Sequence, residues 1–280
     1  MSLDGRVMFM SGGSRGIGLA IALRAARDGA KVALMAKTAE PHPKLPGTVF
    51  SAAEEIEAAG GEALPIVGDI RDAEAVEAAA AQTAERFGGI DLVVNNASAI
   101  NLSPMRDLPA KHFDLMQQIN PRGTFVVTQA CLPHLRESDH AHVLTLSPPL
   151  SVDRRWLAGH SAYTLSKMGM TMITLGVAAD EAEAGIAANC LWPRTIIATA
   201  AVQNLLGGDE AMARARKPEI LADAAHAILV RDPRSTTGNT FIDDEVLAEA
   251  GITGLDGYSA EGADLVLDIF VDGWPEGVPA

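Results

Sequence analysis

The chain has 280 residues, 48% of them hydrophobic and 4% aromatic, with a formal net charge of −14 at pH 7. That size and apolar content suit one large domain with a substantial core. The acidic balance argues against nucleic acid and against an anionic membrane surface as partners, and no apolar run approaches the roughly 18 residues that would span a bilayer.

Met1-Ser2-Leu3-Asp4-Gly5 leads straight into an apolar run, with no charged-then-apolar leader. Val7 to Met10 reads as a short strand closed by Ser11-Gly12-Gly13. A helical pattern runs from Gly16 to Asp28 and stops at Gly29, and Lys31 to Ala36 is a second buried strand. Strand, glycine turn, helix and strand make a βαβ unit, for which a parallel sheet is the expected setting. The alternation continues with a helix at Ala52 to Ala59, a strand at Leu64 to Val67, a helix at Ala73 to Phe87 and a strand at Leu92 to Val94. Pro121 to Leu135 is a helix with proline in its first turn, followed by a strand at His142 to Leu146. A long helix at Ser161 to Glu183, a strand at Ala187 to Trp192, a helix at Ile220 to Val230 and a strand at Thr240 to Ile242 complete the series. The pattern predicts an α/β fold, a Rossmann-type doubly wound parallel seven-stranded sheet with helices on both faces. No composition shift divides it, so it reads as a single domain with a C-terminal extension.

Three stretches break the rhythm. Thr38 to Thr48 is a loop carrying Pro41, Pro43 and Pro46. Pro193 to Pro218 is a long, partly apolar segment that reads as a lid, with Gly207-Gly208 as its hinge. Residues 243–280 form an acidic, glycine-rich tail with one apolar run, Leu265 to Val271, and ends expected to fray. Gly277-Val278-Pro279-Ala280 is no peroxisomal address. The lid has Ile196, Ile197, Val202, Leu205 and Leu206, and the loop before Ser161 has Leu150, Trp156 and Leu157. Together they suggest an apolar substrate pocket; packing on the domain or on a second subunit is the alternative. Cys131 and Cys190 sit in apolar surroundings and read as buried reduced thiols of a cytoplasmic protein. The seven histidines are scattered and no zinc-type spacing occurs, so no metal is expected.

Gly12, Gly16 and Gly18 lie in the first strand-to-helix turn, where glycine lets the backbone approach a pyrophosphate at a helix N-terminus. The spacing is Gly-x-x-x-Gly-x-Gly instead of Gly-x-Gly-x-x-Gly. The second strand ends Ala36-Lys37-Thr38 with no carboxylate to hold the ribose 2′-hydroxyl of NAD. Lys37 and Arg15 stand where a 2′-phosphate would lie and favour NADP over NAD; the alternative is that both face solvent. Lys44 is a further cation in the proline-rich loop. Tyr163 and Lys167 are four residues apart on a helix and share a face. A lysine ammonium beside a phenol favours the phenolate, so the pair is expected to have a lowered tyrosine pKa and to serve as a general acid/base for an alcohol oxygen.

The turn Ser11-Gly12-Gly13-Ser14-Arg15-Gly16-Ile17-Gly18, then Asp69, Asn95-Asn96-Ala97-Ser98, and Asn120, Ser147, Tyr163 and Lys167 in that order resemble the classical short-chain dehydrogenase/reductase family over about residues 5 to 245. Within it, the stretches Ala36 to Leu45, Ser147-Pro148-Pro149-Leu150 and Leu191-Trp192-Pro193 are similar to the hydroxysteroid-dehydrogenase-like branch, whose animal members append a sterol-carrier domain that this chain is too short to carry. The resemblance implies an enzyme passing a hydride between a nicotinamide and a carbinol or carbonyl carbon, with residues 1–245 as the catalytic domain, the lid at about 193–218, and 246–280 packed on it or trailing from it. It implies Asn120, Ser147, Tyr163 and Lys167 as the catalytic group. Tyr163 passes the proton, Ser147 fixes the substrate oxygen, Lys167 tunes the tyrosine and holds the ribose, and Asn120 anchors a water. It implies Gly12, Ser14, Arg15, Gly16, Ile17, Gly18, Lys37, Asp69, Ile70, Asn96, Ala97, Tyr163, Lys167, Pro193 and Thr195 at the cofactor. It also implies a homodimer or homotetramer built on the helices at Pro121 to Leu135 and Tyr163 to Glu183.

Asn120 as a helix N-cap and Ser147 as the cap of the turn before Pro148 are the structural alternatives. Ser147 to Tyr163 is a longer interval than the family's usual one, and Pro193-Arg194 stands where Pro-Gly is usual. Thr199 competes with Thr195 as the phosphate-contacting threonine. Arg154, Arg155 and Arg194 are candidates to receive a carboxylate or a CoA phosphate, with plain solvation as the alternative. The Tyr163–Lys167 spacing disfavours an enoyl reductase, and the apolar lid disfavours a sugar. A non-catalytic NADP-binding sensor or scaffold is the competing function.

Overall fold

The computed structural model describes residues 2–41, 46–205 and 207–274. Lys44, Leu206 and the last six residues, all named in the sequence reading, lie outside the described residues. The elements run β1 (Val7–Ser11), α1 (Gly16–Ala26), β2 (Lys31–Ala36), α2 (Val49–Ala58), β3 (Glu62–Val67), α3 (Ala73–Phe87), β4 (Leu92–Asn95), α4 (Ala110–Ile119), α5 (Pro121–Leu135), β5 (His142–Leu146), α6 (Arg154–Leu157), α7 (Ser161–Asp180), β6 (Ala187–Trp192), α8 (Ala200–Leu205), α9 (Gly208–Ala213), α10 (Glu219–Leu229), β7 (Thr240–Ile242) and α11 (Asp243–Glu249). The seven strands form one parallel sheet in the order β3-β2-β1-β4-β5-β6-β7. The chain order reverses between β1 and β4, and a crevice opens there beyond the strand C-termini.

Buried strands of a parallel sheet are apolar on both faces, and Met8, Phe9, Met10, Val32, Leu34, Val93 and Val94 show no exposed surface. One core layer joins the sheet to α1, α2, α10 and α11 through residues such as Ile21, Ile56, Ile220 and Val246. The other joins it to α3, α5 and α7 through Val76, Val127, Cys131 and Ala178. Each fully buried aliphatic side chain of this kind contributes about 1.5–3 kcal/mol. Both cysteines are buried and unpaired.

Besides the short helices α6, α8 and α9, three elements differ from the sequence pattern. Helix α2 starts at Val49, three residues before the periodic apolar run. Thr48 caps it, taking a hydrogen bond from the Ser51 backbone while Ser51 Oγ accepts from the Thr48 backbone. Helix α4, absent from the sequence pattern, has a single fully buried residue, Met116, with Leu115 and Ile119 half-buried beside it. Helix α11 begins with Asp243, Asp244 and Glu245 in its first turn, where the helix dipole favours acids; the sequence alone reads that run as the start of a tail.

His142 opens β5 fully buried, with Nε2 3.1 Å from the Arg231 carbonyl oxygen, so that nitrogen carries the proton. Burial, with the neighbouring His140 adding, pushes its pKa down to about 4. Between about pH 6.5 and 4 the unfolded chain therefore takes up a proton that the folded chain refuses, and stability falls as pH drops through that window. We expect a loss of roughly 2–3 kcal/mol between pH 7 and 4 that is absent from His142→Gln, measured by urea denaturation at each pH.

Candidate functional site

The glycine turn between β1 and α1 faces a groove of about 850 Å³ at the strand C-termini. Gly12 has φ +78°, and a Cβ on it would stand 2.9 Å from Ala97 Cα; a Cβ on Gly18 would stand 2.5 Å from Asn96 Nδ2 and 2.7 Å from the Gly12 carbonyl oxygen. Asn96 Nδ2 donates to that carbonyl at 2.8 Å, so the turn and the β4 end are locked face to face with no space for a side chain. The α1 N-terminus has no side-chain cap, which leaves its backbone N–H groups to an anion in the groove.

Of the cofactor residues expected from sequence, Gly12, Ser14, Arg15, Gly16, Ile17, Lys37, Asp69, Ile70, Asn96 and Ala97 line this groove, while Gly18, Tyr163, Lys167, Pro193 and Thr195 do not. Arg15 Nη2 donates to the Gly47 carbonyl, and its buried Nε has no hydrogen-bond partner among the described residues. Lys37 is ion-paired with Asp69 at 3.2 Å, and Arg71 grips the same carboxylate. The Lys37 side chain is nonetheless 59% exposed, whereas Arg15 is half-buried. The Arg71 hydrogen bonds, with Lys37 adding, hold Asp69 well below the usual carboxylate range. The glycine cradle, the open helix terminus and the orphaned Arg15 nitrogen fit a dinucleotide. Thr199 and Leu205 also line the groove. Leu205 is exposed beside this groove, while Ile197 and Val202, also in the expected lid, are buried.

Helix α7 carries Tyr163 and Lys167 on its buried face. Hydroxyl contacts tether it to the sheet: Thr174 Oγ1 lies 2.8 Å from Thr145 Oγ1, and Asn95 Nδ2 donates to Thr128 Oγ1 at 2.9 Å and reaches Thr145 at 3.4 Å. Thr171 Oγ1 lies 3.0 Å from Ser147 Oγ and 2.7 Å from the Pro148 carbonyl oxygen. Ser147 is thus fully buried against α7. Asn120 is no N-cap. Its side chain clamps both backbone groups of Ala99 and donates to Ser166 Oγ at 2.9 Å, next to Lys167 in the chain. Lys167 Nζ donates to the Leu146 carbonyl at 2.5 Å and lies 5.0 Å from the centre of the Trp192 ring.

The expected lowering of the tyrosine pKa is reversed here. Burial, reinforced by the nearby charge of Asp268, raises Tyr163, and burial lowers Lys167 against the pull of the same carboxylate. Asp268 itself is raised, mainly by burial. It was invisible as a site residue from sequence, since it stands 101 positions after Lys167 in the tail.

That tail returns across the site. Asp268 N donates to the Arg194 carbonyl, Thr195 and Leu267 form an antiparallel bridge, and Trp192 Nε1 donates to the Ile269 carbonyl. Phe270 then packs among Trp156, His160, Tyr163 and Trp192. Arg194 is buried, with its guanidinium on Asp244, Glu245 and the Gly273 carbonyl. It is committed to structure and is not open to a carboxylate or a CoA phosphate. Arg155 pairs with Asp153 and Asp272. Leu150 and Trp156 line a second cavity of about 460 Å³ on the outer side of Phe270, which also touches Arg194 and Glu245.

The sequence profile of the short chain dehydrogenases matches residues 6–208. Hydroxysteroid dehydrogenase-like protein 2 of Danio rerio is 52% identical over 275 residues and that of Homo sapiens 50% over 277, covering 98% and 99% of this chain. The chain spans 66% of the length of each. The crystal structure of a candidate dehydrogenase from Xanthomonas campestris superposes with a TM-score of 0.94 at 54% identity, over 98% of this chain and 100% of that one. A short chain dehydrogenase from Mycobacterium thermoresistibile gives 0.93 at 59% identity, over 99% of both chains.

Because Gly18 has no room for a Cβ, Gly18→Ala should lower folding stability by about 1–3 kcal/mol, read from the urea midpoint. An unchanged midpoint would contradict this packing of turn against β4.

Proposed function

Since the chain belongs to the short chain dehydrogenase family, we propose that it is an NADP-dependent oxidoreductase interconverting an alcohol and a ketone or aldehyde on a mainly apolar substrate. The observation that carries the reading is the pair Tyr163 and Lys167, one turn apart on the buried face of α7 beside the end of β5. Bound in the groove, NADP would supply or accept the hydride.

The chain's own residues divide the remaining work. The Gly12–Ile17 turn and the α1 N-terminus hold the pyrophosphate, and Arg15 and Lys37 meet the 2′-phosphate. Asp69, Ile70, Asn96 and Ala97 border the adenosine half, and Pro193 and Thr195 serve the nicotinamide end. The Thr195 hydroxyl is fully buried without a hydrogen-bond partner among the described residues, which suits a polar group arriving with the cofactor. Its raised pKa keeps Tyr163 a neutral phenol at pH 7, the form that donates a proton to a carbonyl oxygen being reduced. Lys167, lowered by burial, relays protons behind it. Ser147 reaches the substrate oxygen by exchanging its Thr171 partner. Asn120 holds Ala99 and Ser166 in place and anchors the relay water.

Support for an apolar substrate is confined to Leu150, Trp156, Ile242 and Val271, which share the outer cavity with Arg194, Glu245 and Asp272. Residues 1–245 form the catalytic domain, with the 193–218 segment beside the cofactor and 246–280 as the extension. Two buried thiols support a cytoplasmic setting. Among the described residues no helix is long and apolar enough to cross a membrane. Phe125 on α5 and Leu165 and Met172 on α7 are about half exposed and support a homodimer or homotetramer; light scattering should show no monomer. One observation favours a second reading, a sensor that binds NADP without turnover: Phe270 stacks on Tyr163 and hides it.

Fluorescence titration with NADPH and NADH, followed by turnover on a panel of ketones, aldehydes and alcohols, tests both. NADPH should bind more tightly than NADH. Tyr163→Phe should lower turnover by about 10²–10⁴-fold with NADPH affinity nearly unchanged. Retained turnover removes Tyr163 from its role, tight NADPH binding with no turnover on any compound supports the sensor, and failure to bind either nucleotide defeats both readings.

A further inference from the structure

Phe270 has φ +72°, and it is the non-glycine residue with positive φ among the described residues. A bulky side chain in that region is a genuine outlier, sustained where its surroundings over-determine it. The backbone on either side is pinned. Before it, Ile196 N donates to the Val266 carbonyl, Asp268 N to the Arg194 carbonyl and Trp192 Nε1 to the Ile269 carbonyl. After it, Arg194 Nη1 donates to the Gly273 carbonyl at 2.6 Å, and Asp272 pairs with Arg155 at the surface. The kink turns the phenyl ring inward.

The ring is 4% exposed, with centroids 5.9 Å from Trp156, 5.9 Å from Trp192, 6.0 Å from His160 and 6.3 Å from Tyr163, nearly parallel to the last at 24°. Four rings therefore enclose a space of one phenyl group directly against Tyr163. The outer cavity ends on Phe270 and does not touch Tyr163, Ser147 or Lys167, and the nucleotide groove does not touch them either. A substrate entering from the outer cavity meets Phe270 before it meets the tyrosine.

We infer that Phe270 is a built-in occupant of the substrate pocket. A substrate bearing a ring or ring-sized apolar group next to its carbonyl or carbinol carbon takes the phenyl's place over Tyr163 by displacing residues 270–274. This rests on the dehydrogenase reading for the identity of the pocket, and it deepens that reading by naming the substrate class and the residue that excludes others. Slender aliphatic compounds gain too little contact with the four-ring box to expel the phenyl. The apparent affinity of any ligand is lowered by the fraction of molecules in which Phe270 is seated.

All three tryptophans of the chain, Trp156, Trp192 and Trp274, flank this segment, so their emission reports on it directly. The test titrates acetophenone against 2-octanone, with tryptophan emission as readout and turnover with NADPH recorded on the same samples. In the native protein, acetophenone should red-shift the emission as the segment leaves. Phe270→Ala should bind acetophenone about tenfold more tightly. Asp272→Ala, exposed and outside the box, loosens the segment with every ring in place and should tighten binding about threefold; it decides the matter if Phe270→Ala fails to fold. Unchanged or weaker acetophenone binding in the folded variants makes Phe270 a fixed wall and overturns the inference. Tighter binding with no turnover in any sample upholds the occupant and defeats the dehydrogenase reading instead, so the two failures are distinct.

Discussion

A buried guanidinium organises the C-terminal half of this protein. Arg194 is 4% exposed, and a charge so far from water persists only when it is paired and hydrogen-bonded on all sides. Its Nε is held by both oxygens of Asp244, its Nη2 by Glu245 and its Nη1 by the Gly273 carbonyl. Its own backbone N–H meets Asp243, and its carbonyl accepts from Asp268. One residue thereby joins the end of β6, the first turn of α11 and the returning tail. Asp244 also faces the buried Arg216 guanidinium at 3.6 Å, so two cations share one carboxylate there. Pinning the tail fixes where Phe270 goes, and Phe270 in turn stacks over Tyr163.

The other half depends on closeness of backbone. Gly12, Gly18 and Asn96 bring the β1 turn against the end of β4, at the point where the sheet reverses its order. Parallel strands put their C-terminal ends on one edge, so the glycine turn, Asp69, Asn96 and the segment after β6 converge there although they are far apart in the chain. The groove follows from that topology. Of the charges around it, Asp69 holds Lys37 and Arg71, while among the described residues Arg15 reaches only the Gly47 carbonyl.

Burial, more than pair formation, sets the protonation states around Tyr163. A lysine one turn away is expected to draw the tyrosine toward phenolate. In the folded chain both groups are removed from water, which favours the neutral form of each, and Asp268 adds a negative charge that opposes phenolate. The pair is thus arranged as a neutral phenol beside a weakened ammonium. Proton donation to a carbonyl suits that arrangement directly.

The sequence by itself determined the sheet, since apolar runs with period-breaking glycines mark β1, β2, β5 and β6 within a residue or so, and Gly12, Gly16 and Gly18 mark the turn. It also placed Tyr163 and Lys167 on one helix face, because helical spacing is local. Helix α4, with Met116 fully buried and Leu115 and Ile119 half-buried, stayed hidden, and α11 did because its acids look like a solvated tail. What lies over Tyr163 and Lys167 was decided only by tertiary structure. Leu265 to Val271 is an apolar run of no distinct period, and nothing local says that it crosses back to the end of β6 or that Asp268 and Phe270 end beside Tyr163. Those contacts join residues about a hundred positions apart. They exist because Arg194, once buried, requires partners that the tail and α11 bring to it.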